Sequence, residues 1–147
     1  MPEVFDWVHR GILLCTNNVT GEAVVDATPR VIAAFNSAPL AVGIAVSHVT
    51  NNLTVSEAGI YFAICSLSFS GTANATFEVR GFVNGVATDM YLSRKLGSGG
   101  DVGSGAIQGI VTLGAGDVMD VRQSSADGSA FTCQAAQLCA WRISPAA

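Results

Sequence analysis

Residues 53–69, LTVSEAGIYFAICSLSF, decide how the chain is read. Ser56, Glu57, Ala58 and Gly59 form a turn signal, and the run from Ile60 to Phe69 has the length and content of a strand. Strand side chains alternate between faces, so Tyr61, Ala63, Cys65, Leu67 and Phe69 point one way and Ile60, Phe62, Ile64, Ser66 and Ser68 the other. The first half of the run is therefore apolar on both faces and the second half on one. A strand apolar on both sides sits mid-sheet, with another layer or another subunit against its outer face.

Composition supports a subunit. Charged residues make up 12% of the 147, against a usual ~25%, and mean hydropathy is +0.45. No run of ~18 apolar residues is present, so membrane insertion does not explain the figure. A large subunit interface, resembling a divided core, does. One domain fits the length. Net charge is −4 and the seven basic residues are scattered, which leaves no electrostatic footprint for nucleic acid. Glu3 and Asp6 stand where a signal peptide would carry positive charge, so synthesis in a cytoplasm is expected. Cys15, Cys65, Cys133 and Cys139 lack zinc-ligand spacing and are expected to be reduced, buried thiols.

Outward from the central stretch, residues 1–28 read as an N-terminal arm with one or two short strands, at GILLC and at Glu22–Ala27; its apolar Phe5, Trp7 and Val8 cover the subunit's own core or grip a neighbour. Residues 29–147 read as a β-domain. VIAAF (31–35) is expected to be a strand ending at Asn36, Ser37 and Pro39, and LAVGIAVSHV (40–49) a second, running to the turn at 50–52. ATFEVRGFV alternates cleanly, and Asn84-Gly85 is the strongest short hairpin signal, because a type I′ turn needs positive φ twice. Val86–Leu96 returns, and GSGGDVGSG (97–105) is a Gly-Ser loop with no P-loop lysine or following helix. Strands follow at 106–113 and 117–125, joined by a turn over Gly114, Ala115, Gly116 and Asp117. The last strand, 131–143, places Phe131, Cys133, Ala135, Cys139, Trp141 and Ile143 on one face. Eight to ten strands and no helix predict an all-β sandwich.

The phrase V-x-x-A-G-x-Y ending at Tyr61, Asn84-Gly85, the L-x-x-G-D of Leu113 to Asp117 and the terminal WRI, in that order, resemble the C1q/TNF-like jelly-roll family over residues 29–144. The resemblance implies a two-sheet antiparallel jelly roll that assembles as a homotrimer. It places Ile60–Phe69 and Ala106–Leu113 in the inner sheet, which makes Ile60, Phe62, Ile64 and Ile110 the expected trimer contacts. Without a collagen-like stalk or a signal peptide, the sequence is more similar to the small jelly-roll proteins of tailed bacteriophages. That implies a virion protein that decorates or cements a capsid, with the major capsid protein as partner and the arm at Phe5, Trp7 and Val8 as the capsid contact. Alternatives are a receptor-binding fibre tip recognising glycan and a bacterial C1q-like binding module.

Catalytic chemistry finds little support. The two histidines, His9 and His48, lie far apart in sequence, no G-x-S-x-G elbow occurs, and Asp117 and Asp120 fall on opposite faces of a strand. No cofactor is expected. Loop carboxylates at Asp101, Asp117, Asp120 and Asp127 leave room for a hard cation but form no dense D-x-D-x-D run. Sequons at Asn18, Asn52 and Asn74 read as turn residues unless the chain is secreted.

Overall fold

The alternation read along Ile60–Phe69 holds in the computed structural model, which describes residues 9–24 and 27–146. In β7 (Gly59–Gly71), Tyr61, Ala63, Cys65 and Phe69 are wholly buried, while Ile60, Phe62 and Ile64 on the opposite face are only partly covered. Around β7 the described residues form twelve strands and no helix, in two antiparallel sheets. The first sheet runs β10 (Gly103–Leu113), β7, β12 (Ala130–Pro145), β1 (Arg10–Cys15) and β4 (Ser37–Val42), with β2 (Glu22–Ala23) paired to β12. The second runs β5 (Ile44–Ser47), β6 (Asn52–Val55), β11 (Val118–Ser124), β8 (Thr76–Val83) and β9 (Val86–Lys95), with β3 (Arg30–Val31) on β11.

The sheets stack face to face, so the core is made of the inward half of each alternation. Phe69 and Phe131 from the first sheet meet Phe77 from the second, with ring centroids 5.0–5.7 Å apart. At the side where β9 faces β10, small residues set the spacing. A Cβ on Gly109 would lie 2.8 Å from Met90 Cγ, so a side chain there would push the two sheets apart. Gly103 and Gly105 admit Leu96 and Leu92 in the same way.

Several local expectations are corrected. Residues 31–35 are not a strand: only Arg30–Val31 pairs with β11, and the chain then crosses the sandwich with Ile32, Ala34 and Phe35 buried. Ser37–Pro39, read as a turn, opens β4; Pro39 sits on an edge strand, where a missing N–H is tolerated. Residues 40–49 are not one strand but the end of β4 and all of β5, which lie in different sheets. The corner between them is Gly43, at φ 63, packed so closely on the His9 ring that a Cβ would collide with it. β10 begins at Gly103, inside the expected loop. A bulge between Cys133 and Ala135 flips the last strand: Phe131 and Cys133 face the core, whereas Ala135, Cys139, Trp141 and Ile143 face outward together with Gln137. Cys133 and Cys139 therefore do not share a face, and Cys139, expected to be buried, is partly exposed.

Candidate assembly surface

Antiparallel register lines up side chains from different strands, and on the outer face of the first sheet it builds two rows that are apolar at four of five positions each. One row crosses five strands as Ile110, Phe62, Trp141, Arg10 and Val42. The next crosses as Gln108, Ile64, Cys139, Ile12 and Leu40. Phe62 and Trp141 touch, with ring centroids 4.7 Å apart. Even so, Trp141 stays 38%, Ile143 40% and Ile110 66% exposed. Contiguous exposed apolar surface of this kind marks an interaction site. Toward the other end of the strands the rows turn small and polar through Ser66, Ser68, Ser104 and Gln137, around a depression of about 490 Å³.

Burial on this face also acts on the Cys139 thiol, whose pKa is raised by desolvation. Arg10 is the only charged side chain among the outward residues of these five strands. It borders a depression of about 350 Å³ formed with Ile12, Leu40, Cys139 and Trp141. At the entry end of β1 the backbone N–H of Arg142 donates to His9 O (2.9 Å). The Arg142 guanidinium binds Glu57 (2.9 Å) and donates to Ala58 O (2.8 Å), while the Tyr61 hydroxyl donates to Glu57 O (2.8 Å). These bonds tie the turn at 56–58 to the end of β12.

The outer face of the second sheet has the opposite character. Arg80 lies over the Tyr91 ring and Arg122 over Phe82, at 4.6 and 4.5 Å. Arg122 also pairs with Asp120 (2.8 Å), and Tyr91 donates to Glu78 (2.9 Å). Cations cover the aromatics here.

The predicted contacts Ile60, Phe62, Ile64 and Ile110 all lie on the apolar face, in adjoining rows of β7 and β10. Trp141, Ile12 and Leu40 complete it and were not singled out from the sequence; the WRI ending was the available signal, obscured by the bulge. Phe5, Trp7 and Val8 lie outside the described residues. Gly59, read as a turn residue, is the first residue of β7, where a Cβ would come within 2.5 Å of Arg142 Nε. Asn84 and Gly85 take φ 49 and 77 in the β8–β9 hairpin. Gly116 has φ 88 in the β10–β11 turn, and Asp117 there accepts from Gly114 N–H (2.7 Å) and Asn84 Nδ2 (2.8 Å). Those two bonds hold the Asp117 carboxyl below the usual range, Asn84 contributing most. Asp101, Asp120 and Asp127 are each engaged locally, with Gly97 N–H, Arg122 and Thr76 N–H. Among the described residues no three His, Cys, Asp or Glu side chains come together as a metal site.

No family model matches the sequence, and no curated protein matches it. Solved structures do match its shape. The Eiger TNF of S. frugiperda superposes with a TM-score of 0.61 at 12% identity, over 95% of this chain and 94% of that one. This is the C1q/TNF-like jelly-roll fold. The globular domain of zebrafish complement 1qA gives 0.60 at 14% identity over 94% and 99% of the two chains, and murine APRIL gives 0.62 at 16% over 91% and 99%. Near-complete coverage in both directions means that the jelly roll accounts for nearly all of this chain.

Proposed function

We propose that the protein is a non-enzymatic, homotrimeric building block whose outer first-sheet face is buried between sister subunits. The observation that carries this reading is the five-strand row Ile110, Phe62, Trp141, Arg10 and Val42, apolar at four of its five positions, set against a second sheet whose outer aromatics lie under its own cations. Left in water, such a face would promote association; covered by copies of the chain, it becomes core. The threefold order follows the resemblance to the C1q/TNF-like family. The resemblance to small phage jelly rolls takes the reading to its use: trimers on a virion surface, bound to the major capsid protein as decoration or cement. Native mass spectrometry tests the assembly, with a species of three times the 15.1 kDa chain mass expected. Counting copies per virion tests the use: hundreds support decoration, whereas a few trimers or none would remove it. The exposed Gly-Ser loop, with Gly99 and Gly100 at positive φ and open space around both, favours one second reading. In that reading the trimer is a fibre tip whose loop meets a cell-surface glycan, and a glycan array tests it.

A further inference from the structure

Asn84-Gly85 is the only Asn-Gly pair in the sequence, and such a pair carries chemistry of its own. The backbone nitrogen of Gly85 attacks the Asn84 side-chain carbon Cγ, closing a succinimide ring and expelling the side-chain amide as ammonia. Water then opens the ring. Opening at Cγ leaves aspartate, whereas opening at the main-chain carbonyl leaves isoaspartate, with the chain routed through the former side chain. Glycine favours the first step because it has no Cβ to keep its backbone from approaching. The reaction needs no enzyme, oxidant or cofactor, and Asn84 is exposed to the water that completes it.

The fold holds this carboxamide at both of its polar atoms. Asn84 Nδ2 donates to Asp117 Oδ1 (2.8 Å), and Asn84 Oδ1 accepts from Val118 N–H (2.9 Å). The backbone N–H of Asn84 donates to Val118 O (2.8 Å). The far side of this clamp is fixed as well. Asp117 Oδ2 accepts from Gly114 N–H (2.7 Å), Val55 N–H donates to Asp117 O (3.1 Å), and Gly116 N–H donates to Val55 O (2.8 Å). Cγ therefore reaches the Gly85 nitrogen only by rotating away from both of its side-chain partners. The bond to Asp117 is charge-assisted, the stronger kind.

We infer that Asn84 is a modification site of this protein, a deamidation site that the folded chain holds closed through Asp117 and that reacts when the β8–β9 and β10–β11 turns separate. Conversion reverses the clamp. Aspartate at position 84 keeps an acceptor for Val118 N–H but offers Asp117 no donor, so two carboxylates face each other where a hydrogen bond stood. Asn84 is the main influence that holds the Asp117 carboxyl below its usual range, and that pull is lost. Isoaspartate instead adds a backbone carbon to a two-residue hairpin turn, whose length fixes the register of its strands. Either product loosens the end of the second sheet at which Val55, Asn84 and Asp117 are joined, and because ammonia has left, the change persists after the turns close.

The test follows the amide-to-acid mass change at Asn84 by peptide mapping during incubation in mildly alkaline buffer. Folded wild type is expected to convert at least about ten-fold more slowly than the same chain in urea, the factor that one charge-assisted hydrogen bond supplies. Asp117→Ala, its fold verified by circular dichroism, is expected to close much of that gap, while Asp117→Asn, which keeps an oxygen acceptor for Asn84 Nδ2, stays near the wild type. Equal rates in folded and urea-unfolded wild type would overturn the protection. So would a folded Asp117→Ala variant that converts no faster than wild type; should that variant not fold, the comparison with urea decides alone. Asn84→Asp stands in for the product. It is expected to unfold at a lower urea concentration than wild type at neutral pH and to regain most of the difference in acid, where the facing carboxylates take up a proton. A variant as stable as wild type at neutral pH would overturn the reversed clamp.

Discussion

Glu22 shows how one side chain can set a pH dependence. It lies at the end of the first sheet and accepts from Ala33 N–H (2.6 Å), which pins the crossing segment after β3. Burial pushes its carboxyl up, against the pull of that bond and of the Gln123 amide. The folded state therefore keeps the proton at a pH where the unfolded chain has released it. Stability from this group is complete below the unfolded value and is lost as pH rises through the folded one. Glu22→Gln keeps an acceptor for Ala33 and removes the ionisation. Urea melts are expected to show the variant matching the wild type in acid and exceeding it at pH 7, by less than about 1 kcal/mol, because solvent screens a carboxyl this open. A variant destabilised at pH 7 would mean that the charged form is the one the fold prefers. Asp117 has the opposite sign. Its depressed carboxyl adds stability above the unfolded value, and that contribution fades as pH falls.

At the scale of elements, the two sheets come close together on the β9–β10 side, and glycine on β10 makes that possible. Gly109→Val is expected to cost about 1–3 kcal/mol in a urea melt, since Met90 and the strand behind it must yield. Gly99→Ala, facing open space in the 97–102 loop, adds no collision and carries only the strain of its positive φ. The same elements show what could be read without coordinates. β7 and β8 were legible because each alternates over its whole length and begins or ends at an unambiguous turn. The Asn84-Gly85 turn and the Asp117 turn were read separately; their mutual hydrogen bonding, Asn84 Nδ2 to Asp117 and Val118 N–H to Asn84 Oδ1, needed the fold. Residues 31–49 were misread because burial there comes from a crossing segment and a corner, which share composition with strands but not their period. In β12 a single extra residue reversed the faces, and periodicity cannot locate a bulge. Four residues of the candidate surface, Ile60, Phe62, Ile64 and Ile110, therefore came from the sequence, while Trp141, Ile12 and Leu40 came only with the register.

For the whole molecule, the decisive property is the contrast between its two outer faces. The second sheet spends its charges on its own aromatics, with Arg122 over Phe82 and Arg80 over Tyr91. Among the described residues, the five-strand outer face of the first sheet carries one cation, Arg10, on a field of Ile, Phe, Trp and Leu. That contrast locates the low charge of a chain with 12% charged residues: it is concentrated into one face, the one the proposed assembly would bury. Phe62 stands at the centre of the field, touching Trp141 and opposite Ile110, yet outside the core of its own sandwich. Phe62→Asp should therefore leave the monomer folded and remove its association. The direct measurement is the light-scattering mass of this variant beside the wild type, with circular dichroism on both. A trimeric wild type and a variant of one chain mass with an unchanged β-spectrum are predicted. A folded variant that still runs as a trimer would contradict the claim that this face holds the subunits together.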